Sequence, residues 1–367
     1  MKIAFYIPIL NVGGAEKVII NLLKQLHLNH SNQYFLITDE KNSIWINEVR
    51  DYVTILDVNS NVNLIRRLIG IKNAVKVNKI DILVSHLTHS NIHCVFVKIM
   101  FPIKLVLVEH SITSTYVNGI PRFRVLFGLL IKFLFKKADK IVSVSKATQD
   151  DLVNNFNLPL DICQVVYNPI DFKLIKNRSL DVLPPFFLDN LRERRYIVSI
   201  GRLEIYKNHI FLIESLCDYL VRENVVLVLV GGGVLESKIK SKIKELNLLD
   251  YIFLTGYDNN PYPYLFNATL LIHPARFEGF GLVLIEALYL SKPVISMNFE
   301  AAYEVLELGR LGSIVSDKES MISALSKNLE EKSKELRYLD EFSKHVECKY
   351  NLNRIAKDYL KIFQSFH

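Results

Sequence analysis

Apolar residues in this chain gather into short runs rich in β-branched side chains, separated by stretches of helical spacing. A parallel strand buried on both faces reads as a continuous apolar run, so this alternation predicts parallel sheets wrapped by helices. Strands are predicted at 2–10, 34–38, 53–58, 81–86, 104–110, 140–145 and 163–168. Residues 172–195 break the rhythm with Leu183-Pro184-Pro185 and the charged run Arg192-Glu193-Arg194-Arg195. A second series follows at 196–203, 225–233, 251–257, 268–274 and 293–297. The pattern predicts an α/β protein of two units, each of about 180 residues. From about Glu330 onward it is helical without a strand. Ile355, Tyr359, Leu360 and Phe363 fall on one face there, as a docked amphipathic tail requires.

Composition narrows the class. Half of the 367 residues are hydrophobic, which excludes a disordered or low-complexity chain. Cys94, Cys163, Cys217 and Cys348 are scattered, with no Cys-x-x-Cys pair, and read as buried thiols of a reducing compartment. The opening MKIAFYIPIL runs straight into a helical pattern without a small-residue cleavage site, so it is expected to be a first strand. No run of 18 apolar residues occurs, and a cytoplasmic protein is expected. The charge is uneven: residues 1–180 hold 22 basic and 13 acidic residues, whereas 181–367 hold 23 and 25. An anionic partner of the first half is implied. No helix-turn-helix, zinc finger or RNP-like aromatic motif accompanies the cations, so nucleic acid is not expected.

One basic stretch stands out, 121–140. Arg122, Arg124, Lys132, Lys136, Lys137 and Lys140 bracket the apolar run VLFGLLIKFLF. Such a helix either packs under the first sheet or lies in an anionic bilayer interface. His86, His89 and His93 would share a helical face and could hold zinc, but 81–86 reads as a strand ending at His86, so no metal site is expected.

The densest chemistry lies at 273–296, HPARFEGFGLVLIEALYLSKPVIS. A strand ends at His273-Pro274, a loop Glu278-Gly279-Phe280-Gly281 follows, and a helix opens at Leu282-Val283. Glycine lets backbone approach a ligand, and a helix N-terminus offers N–H groups and a positive dipole end to a phosphate. Glu278 and Glu286 can accept hydrogen bonds from sugar hydroxyls beside it. Alternatively, this is a tight strand–helix turn with two solvated glutamates. Upstream, Gly201-Arg202 ends a strand and Lys207 follows five residues on. Cations at the carboxyl edge of such a sheet could neutralise a departing diphosphate, or simply be surface charges. Asn11-Val12-Gly13-Gly14 is a weaker glycine turn, lacking Gly-x-Gly-x-x-Gly.

Together these elements resemble the retaining glycosyltransferases of sequence family four (glycosyl transferases group 1). The resemblance runs through VSVSKATQDDL (142–152), NPID (168–171), GRL…KN (201–208), GGG (231–233), GYDNNPYPYL (256–265) and the Glu-x7-Glu at 278–286. It implies the GT-B fold: two facing Rossmann-like domains with a central cleft and a C-terminal helix crossing back. The implied boundaries are 1–175 for the acceptor-side domain, 196–345 for the donor domain and 346–367 for the crossing helix. Arg202 and Lys207 would bind the donor diphosphate, and Glu278 would contact the transferred sugar. Phe280, Gly281, Leu282 and Val283 would offer backbone N–H to phosphate, and Glu286 would hold the ribose. Gly256 and Tyr257 would line the donor site, Gly13 and Gly14 would close over it, and His110 would touch sugar or acceptor.

The chain departs from the family pattern at Asn168-Pro169, at GGG and at FEAAYE (299–304). No Asp-x-Asp occurs, so no metal–diphosphate site and no cofactor are expected. The expected activity is retaining transfer from a nucleotide sugar, with UDP as the expected nucleotide, to a glycan or lipid-linked acceptor in bacterial-type surface polysaccharide synthesis. Alternatives are a sugar-nucleotide epimerase or soluble-acceptor transferase on the same scaffold, or a non-catalytic partner subunit.

Overall fold

A computed structural model describes the chain except residues 12, 29–30, 41, 44, 59–62, 120–123, 186, 188–190, 192–193, 331–335 and 367, and the side chains of 336–337. Val12, residues 121–123 of the basic stretch, Arg192 and Glu193 therefore lie outside the described residues. The chain divides into two compact units: unit 1 is Met1–Ile170 with Tyr350–His367, and unit 2 is Asp171–Lys349. The domain limits implied by the resemblance shift accordingly, with unit 2 opening at Asp171 rather than near 196. Asp171 accepts a hydrogen bond from the Leu174 N–H at 2.9 Å and caps a helix, Phe172–Ser179, in the stretch where apolar periodicity was lost.

Unit 1 is built on a seven-stranded sheet of order β3-β2-β1-β4-β5-β6-β7, and every pairing is parallel. Its strands are β1 (Lys2–Tyr6), β2 (Gln33–Thr38), β3 (Thr54–Asp57), β4 (Ile82–His86), β5 (Lys104–Glu109), β6 (Lys140–Ser143) and β7 (Cys163–Val165). The first predicted strand was too long because Pro8 cannot donate to a ladder. Helix α1 (Gly14–His27) joins β1 to β2, α2 (Leu64–Asn78) joins β3 to β4, and α3 (Thr88–Met100) joins β4 to β5. Between β5 and β6 come α4 (Thr113–Asn118) and α5 (Arg124–Phe135), and α6 (Lys146–Phe156) precedes β7. Side chains of α2, α3, α5 and α6 share one apolar cluster with the sheet, including Ile71, Val95, Phe135 and Leu152.

The basic stretch resolves into two faces of α5. Ile131, Leu134 and Phe135 are buried in that cluster, while Val125, Leu126, Leu129 and Phe133 are exposed. The helix both packs on the sheet and presents an apolar outer surface.

Unit 2 repeats the winding with six parallel strands in the order β10-β9-β8-β11-β12-β13. These are β8 (Tyr196–Ile200), β9 (Val226–Val230), β10 (Ile252–Gly256), β11 (Leu271–His273), β12 (Val294–Met297) and β13 (Ser313–Val315). Sequence periodicity missed β13, whose three residues are too few to show alternation. In both sheets the winding direction reverses beside the first strand, between β1 and β4 and between β8 and β11. Such switch points open a crevice at the strands' carboxyl ends, where α/β proteins bind ligands.

The chain returns to unit 1 at Tyr350. Helix Leu352–Gln364 is capped by Asn351, which accepts from the Arg354 N–H at 3.0 Å. It buries Ile355, Ala356, Tyr359, Ile362 and Phe363, so Ile362 takes the inward place expected of Leu360. It packs on α1, and Phe363 meets Phe5 of β1 edge-on at 6.4 Å. The cysteines are all free, but Cys348 is exposed and Cys217 half-buried, against the expectation of four buried thiols. Among the described residues no helix is long and apolar enough to cross a membrane.

Removing a fully buried aromatic costs about 3–5 kcal/mol. Phe363→Ala is expected to destabilise unit 1 by that order in urea unfolding; a change within error would show that the tail contributes little.

Candidate functional site

The carboxyl ends of β8 and β11 bring together most of the residues singled out in unit 2. After β8 the chain runs through Gly201, Arg202 and a single 3-10 turn, Ile205–Lys207, ended by Asn208 in a left-handed conformation, φ 61°. The turn folds Lys207 back beside the sheet edge. After β11, Pro274 and the loop to Gly281 deliver Glu278 to the same point, and the Lys207 ammonium pairs with Glu278 Oε1. His273, the last residue of β11, places Nε2 3.1 Å from the same oxygen and is itself buried.

The outer two glycines of GGG are sterically required, whereas a Cβ at the middle one, Gly232, would make only ordinary contact, 3.5 Å from Tyr257. A Cβ at Gly231 would lie 2.1 Å from the Gly201 carbonyl oxygen, and one at Gly233 would lie 2.6 Å from that of Leu203. The two turns are joined by backbone bonds, Gly201 N–H to Val230 O at 3.0 Å and Leu203 N–H to Gly232 O at 2.9 Å. Gly231 N–H in turn donates to Gly256 O at 2.9 Å. The triple glycine and Gly256 thus hold the backbone that carries Arg202. Tyr257 beyond them is half exposed and hydrogen-bonded to Asn259.

Arg202 and Lys207 do not converge on one carboxylate. Arg202 is exposed; it donates to the Tyr206 hydroxyl at 2.6 Å and pairs with Glu204 at 3.0 Å. The Tyr206 ring lies 6.0 Å from the Arg202 guanidinium and 5.7 Å from the Lys207 ammonium, and it stacks on Phe277. Tyr206, Phe277 and His273 belong to this cluster but were not singled out from the sequence. An aromatic and a histidine at a strand end look like packing residues until their neighbours are known.

Gly281, with φ 90° that disfavours a side chain, precedes helix Leu282–Tyr289. Phe280 is buried, whereas Leu282 and Val283 are part-exposed at the helix start. Glu286 lies one turn on and is buried; its Oε1 accepts a hydrogen bond from the Tyr262 hydroxyl at 3.2 Å. Tyr262 comes from the NPYPYL stretch, which explains its place in the motif set.

The other named residues sit in unit 1. His110 follows β5, part-exposed, with His86 of β4 beside it. Gly13 and Gly14 open α1, but the Glu16 carboxylate folds back against Gly13, where a Cβ would meet it at 2.2 Å. His86, His89 and His93 do not share a helix, as expected: His86 ends β4, while His89 and His93 lie on α3.

Burial alone would raise the Glu278 carboxyl, but the adjacent Lys207 charge and the His273 hydrogen bond outweigh it and hold Glu278 at about 2. Burial lowers His273 despite that partner. Paired in this way, Glu278 is an anion at neutral pH and an acceptor of hydrogen bonds.

Residues 186–346 match the family Glycosyl transferases group 1, and residues 12–174 match Glycosyltransferase Family 4. The N-acetylgalactosamine-N,N'-diacetylbacillosaminyl-diphospho-undecaprenol 4-alpha-N-acetylgalactosaminyltransferase of Campylobacter jejuni is 31% identical over 98% of both chains. A second C. jejuni enzyme, a GalNAc-alpha-(1->4)-GalNAc-alpha-(1->3)-diNAcBac-PP-undecaprenol alpha-1,4-N-acetyl-D-galactosaminyltransferase, is 24% identical over 99% of this chain and 98% of its own. Among solved structures, Anabaena HepE in complex with UDP and glucose superposes with a TM-score of 0.81 at 18% identity over 100% of both chains. The chain belongs to the group 1 glycosyltransferases of family four, with two Rossmann-like units of the GT-B fold. It is a glycosyltransferase.

A carboxyl depressed in the folded state stabilises the fold above its unfolded value and loses that contribution as pH falls through its folded value. The stability difference between wild type and Glu278→Gln should therefore be full above 4.5 and shrink toward about 2. Urea unfolding across a pH series checks this; a difference independent of pH would contradict the ion pair.

Proposed function

We propose that the protein transfers a sugar from a UDP-sugar to a lipid-linked saccharide acceptor, with retention of anomeric configuration, during synthesis of a bacterial-type surface glycan. The observation that carries this reading is the Lys207–Glu278–His273 cluster at the β8/β11 switch point, with a helix N-terminus opening at Gly281 beside it in sequence. Two relatives with undecaprenol-linked substrates in their names, and a structural neighbour holding UDP and glucose, support it.

On this reading the donor's diphosphate takes up the Lys207 charge that Glu278 now holds, with Arg202 adding a second cation from the rim. The N–H groups from Phe280 to Val283 receive phosphate oxygens. Glu278, ionised, accepts from hydroxyls of the transferred sugar, and Glu286, oriented by Tyr262, accepts from the ribose. His110 contributes a ring nitrogen to the sugar or acceptor. Cations fixed in a poorly hydrated crevice stabilise the leaving diphosphate as its charge grows. That diphosphate takes the acceptor's proton in a front-face displacement, and the reading invokes no metal ion or cofactor.

Contact with an anionic membrane surface completes the proposal. Helices α2, α3 and α5 carry seven Lys or Arg residues and no Asp or Glu. Two of these cations, Arg67 and Lys98, pair with Asp39 and Asp139. Beside the others lie exposed apolar side chains, Ile65 and Ile69 on α2 and Val125, Leu129 and Phe133 on α5. Apolar residues rimmed by unopposed cations suit an anionic bilayer interface.

A thermal-shift screen against UDP-, GDP-, ADP- and dTDP-sugars is expected to single out a UDP-sugar, with turnover undiminished by EDTA. Lys207→Ala is expected to lower turnover by about 10²–10³-fold, the scale for losing a preorganised charge contact. Full activity in both Lys207→Ala and Glu286→Gln would overturn the site assignment. In flotation assays the protein should follow anionic but not zwitterionic vesicles, and Leu129→Glu with Phe133→Glu should abolish this; unchanged flotation would exclude α5 from the contact.

A further inference from the structure

The carboxyl edge of the unit 1 sheet holds a histidine pair of which the proposed mechanism uses only one member. The parallel register of β4 and β5 sets His86 opposite Val108, two residues before His110. His86 Nδ1 lies 2.9 Å from His110 Nε2, and the rings stack at 5.2 Å with 28° between their planes. His86 is fully buried and also stacks on Phe5 at 5.6 Å. Its remaining nitrogen, Nε2, is buried with no hydrogen-bond partner among the described residues. Leu87, which follows, has φ 77° and ψ 140°, a conformation rare for a residue with a Cβ. Strain of this kind persists only where the surroundings enforce it, and it clusters at functional sites.

A single proton sits between the two rings, and either can supply it. If His110 Nε2–H donates, His86 must carry its own proton on Nε2, leaving a buried N–H with no acceptor. If His86 Nδ1–H donates, Nε2 of His86 is a bare lone pair. Among buried backbone groups, orphaned N–H donors are rarer than under-satisfied acceptors, and the same preference favours the second arrangement here. His110 then accepts at Nε2 and bears its proton on Nδ1.

We propose that His86 is a positioning residue that locks His110 into its Nδ1-protonated tautomer, so that His110 offers a hydrogen-bond donor, and not a base, to an oxygen of the bound sugar or acceptor. This rests on the reading that His110 touches substrate. Burial keeps both rings neutral at pH 7, His110 at about 4 and His86, next to it, well below its ordinary value. With Nε2 occupied and Nδ1 protonated, His110 has no nitrogen free to take the acceptor's proton. The proton must leave by another route, in keeping with a leaving diphosphate that receives it.

Long-range proton–nitrogen spectra of protein carrying ¹⁵N-histidine identify the protonated nitrogen of each ring without any substrate. The expected result is His110 protonated at Nδ1 and bare at Nε2; the reverse overturns the proposal. His86→Leu should give a mixed His110 tautomer and lower kcat/KM by about tenfold, the scale of one lost hydrogen bond, for hydrolysis of the UDP-sugar that the thermal-shift screen singles out. His86→Asn, whose amide donates from near the Nδ1 position, should restore most of that loss, and His86→Gln should not. Wild-type kinetics in His86→Leu, with His110→Ala impaired, overturns the positioning role. So does equal impairment of the Leu and Asn variants, the mark of a merely structural residue. Full activity in His110→Ala would remove the substrate contact itself, a failure that leaves the tautomer spectra unchanged.

Discussion

A carboxylate can be buried at the end of a sheet only if a cation and hydrogen-bond donors replace the water it gives up. Glu278 meets that condition through Lys207 and His273, and most of the unit 2 site follows from satisfying it. Lys207 can reach Glu278 because one 3-10 turn ends at a left-handed Asn208. That turn hangs from a backbone that Gly231 and Gly233 approach more closely than any side chain would allow. His273 is available because β11 ends with it, at the strand beside β8. The site is a consequence of where two parallel strands stop and of how tightly their loops are packed.

The same constraint separates the two cations in function. Lys207 is half-buried and committed to a carboxylate, so on the proposed reading an incoming diphosphate competes with Glu278 for it. Arg202 is exposed and held by Tyr206 and Glu204, both near in sequence. A ligand can recruit it by rotating a side chain without disturbing the core. One cation sets the geometry, and the other can follow the ligand.

Much of this was legible in the sequence because parallel strands and strand–helix turns leave local marks. Twelve of the thirteen strands announced themselves as apolar runs, and β13 escaped because three residues carry no period. Glu278, Glu286, Lys207 and Arg202 stood out from ordinary surface charges only through the motif that they share with a family, and the structure puts Lys207 and Glu278 in contact. Tyr262 was not legible, since its partner Glu286 is 24 residues away; Tyr206 and His273 pair with Arg202 and Glu278 only four and five residues off, but an aromatic and a histidine there look like packing residues. The division of the chain was legible to within about five residues at both crossings, 175 against Ile170 and 346 against Tyr350. The stretch that joins the two series, 172–195, falls to unit 2 from Asp171 onward, where a helix cap leaves only a faint signature. The Glu16 carboxylate beside Gly13 was not legible either, since a glycine turn does not announce which side chain folds over it.

Because unit 1 is assembled from both ends of the chain, its completion depends on timing during synthesis. Unit 2 is one continuous segment, Asp171–Lys349, and every strand it needs emerges before the helix Leu352–Gln364 does. Unit 1 has its whole sheet by Val165, yet Phe5 and α1 lack their covering residues for the time it takes to translate all of unit 2. Domains tend to fold as units in order of synthesis, and exposed apolar surface in that interval invites association with other chains. The later unit is the first that can be complete, and the earlier one waits with an uncovered apolar face.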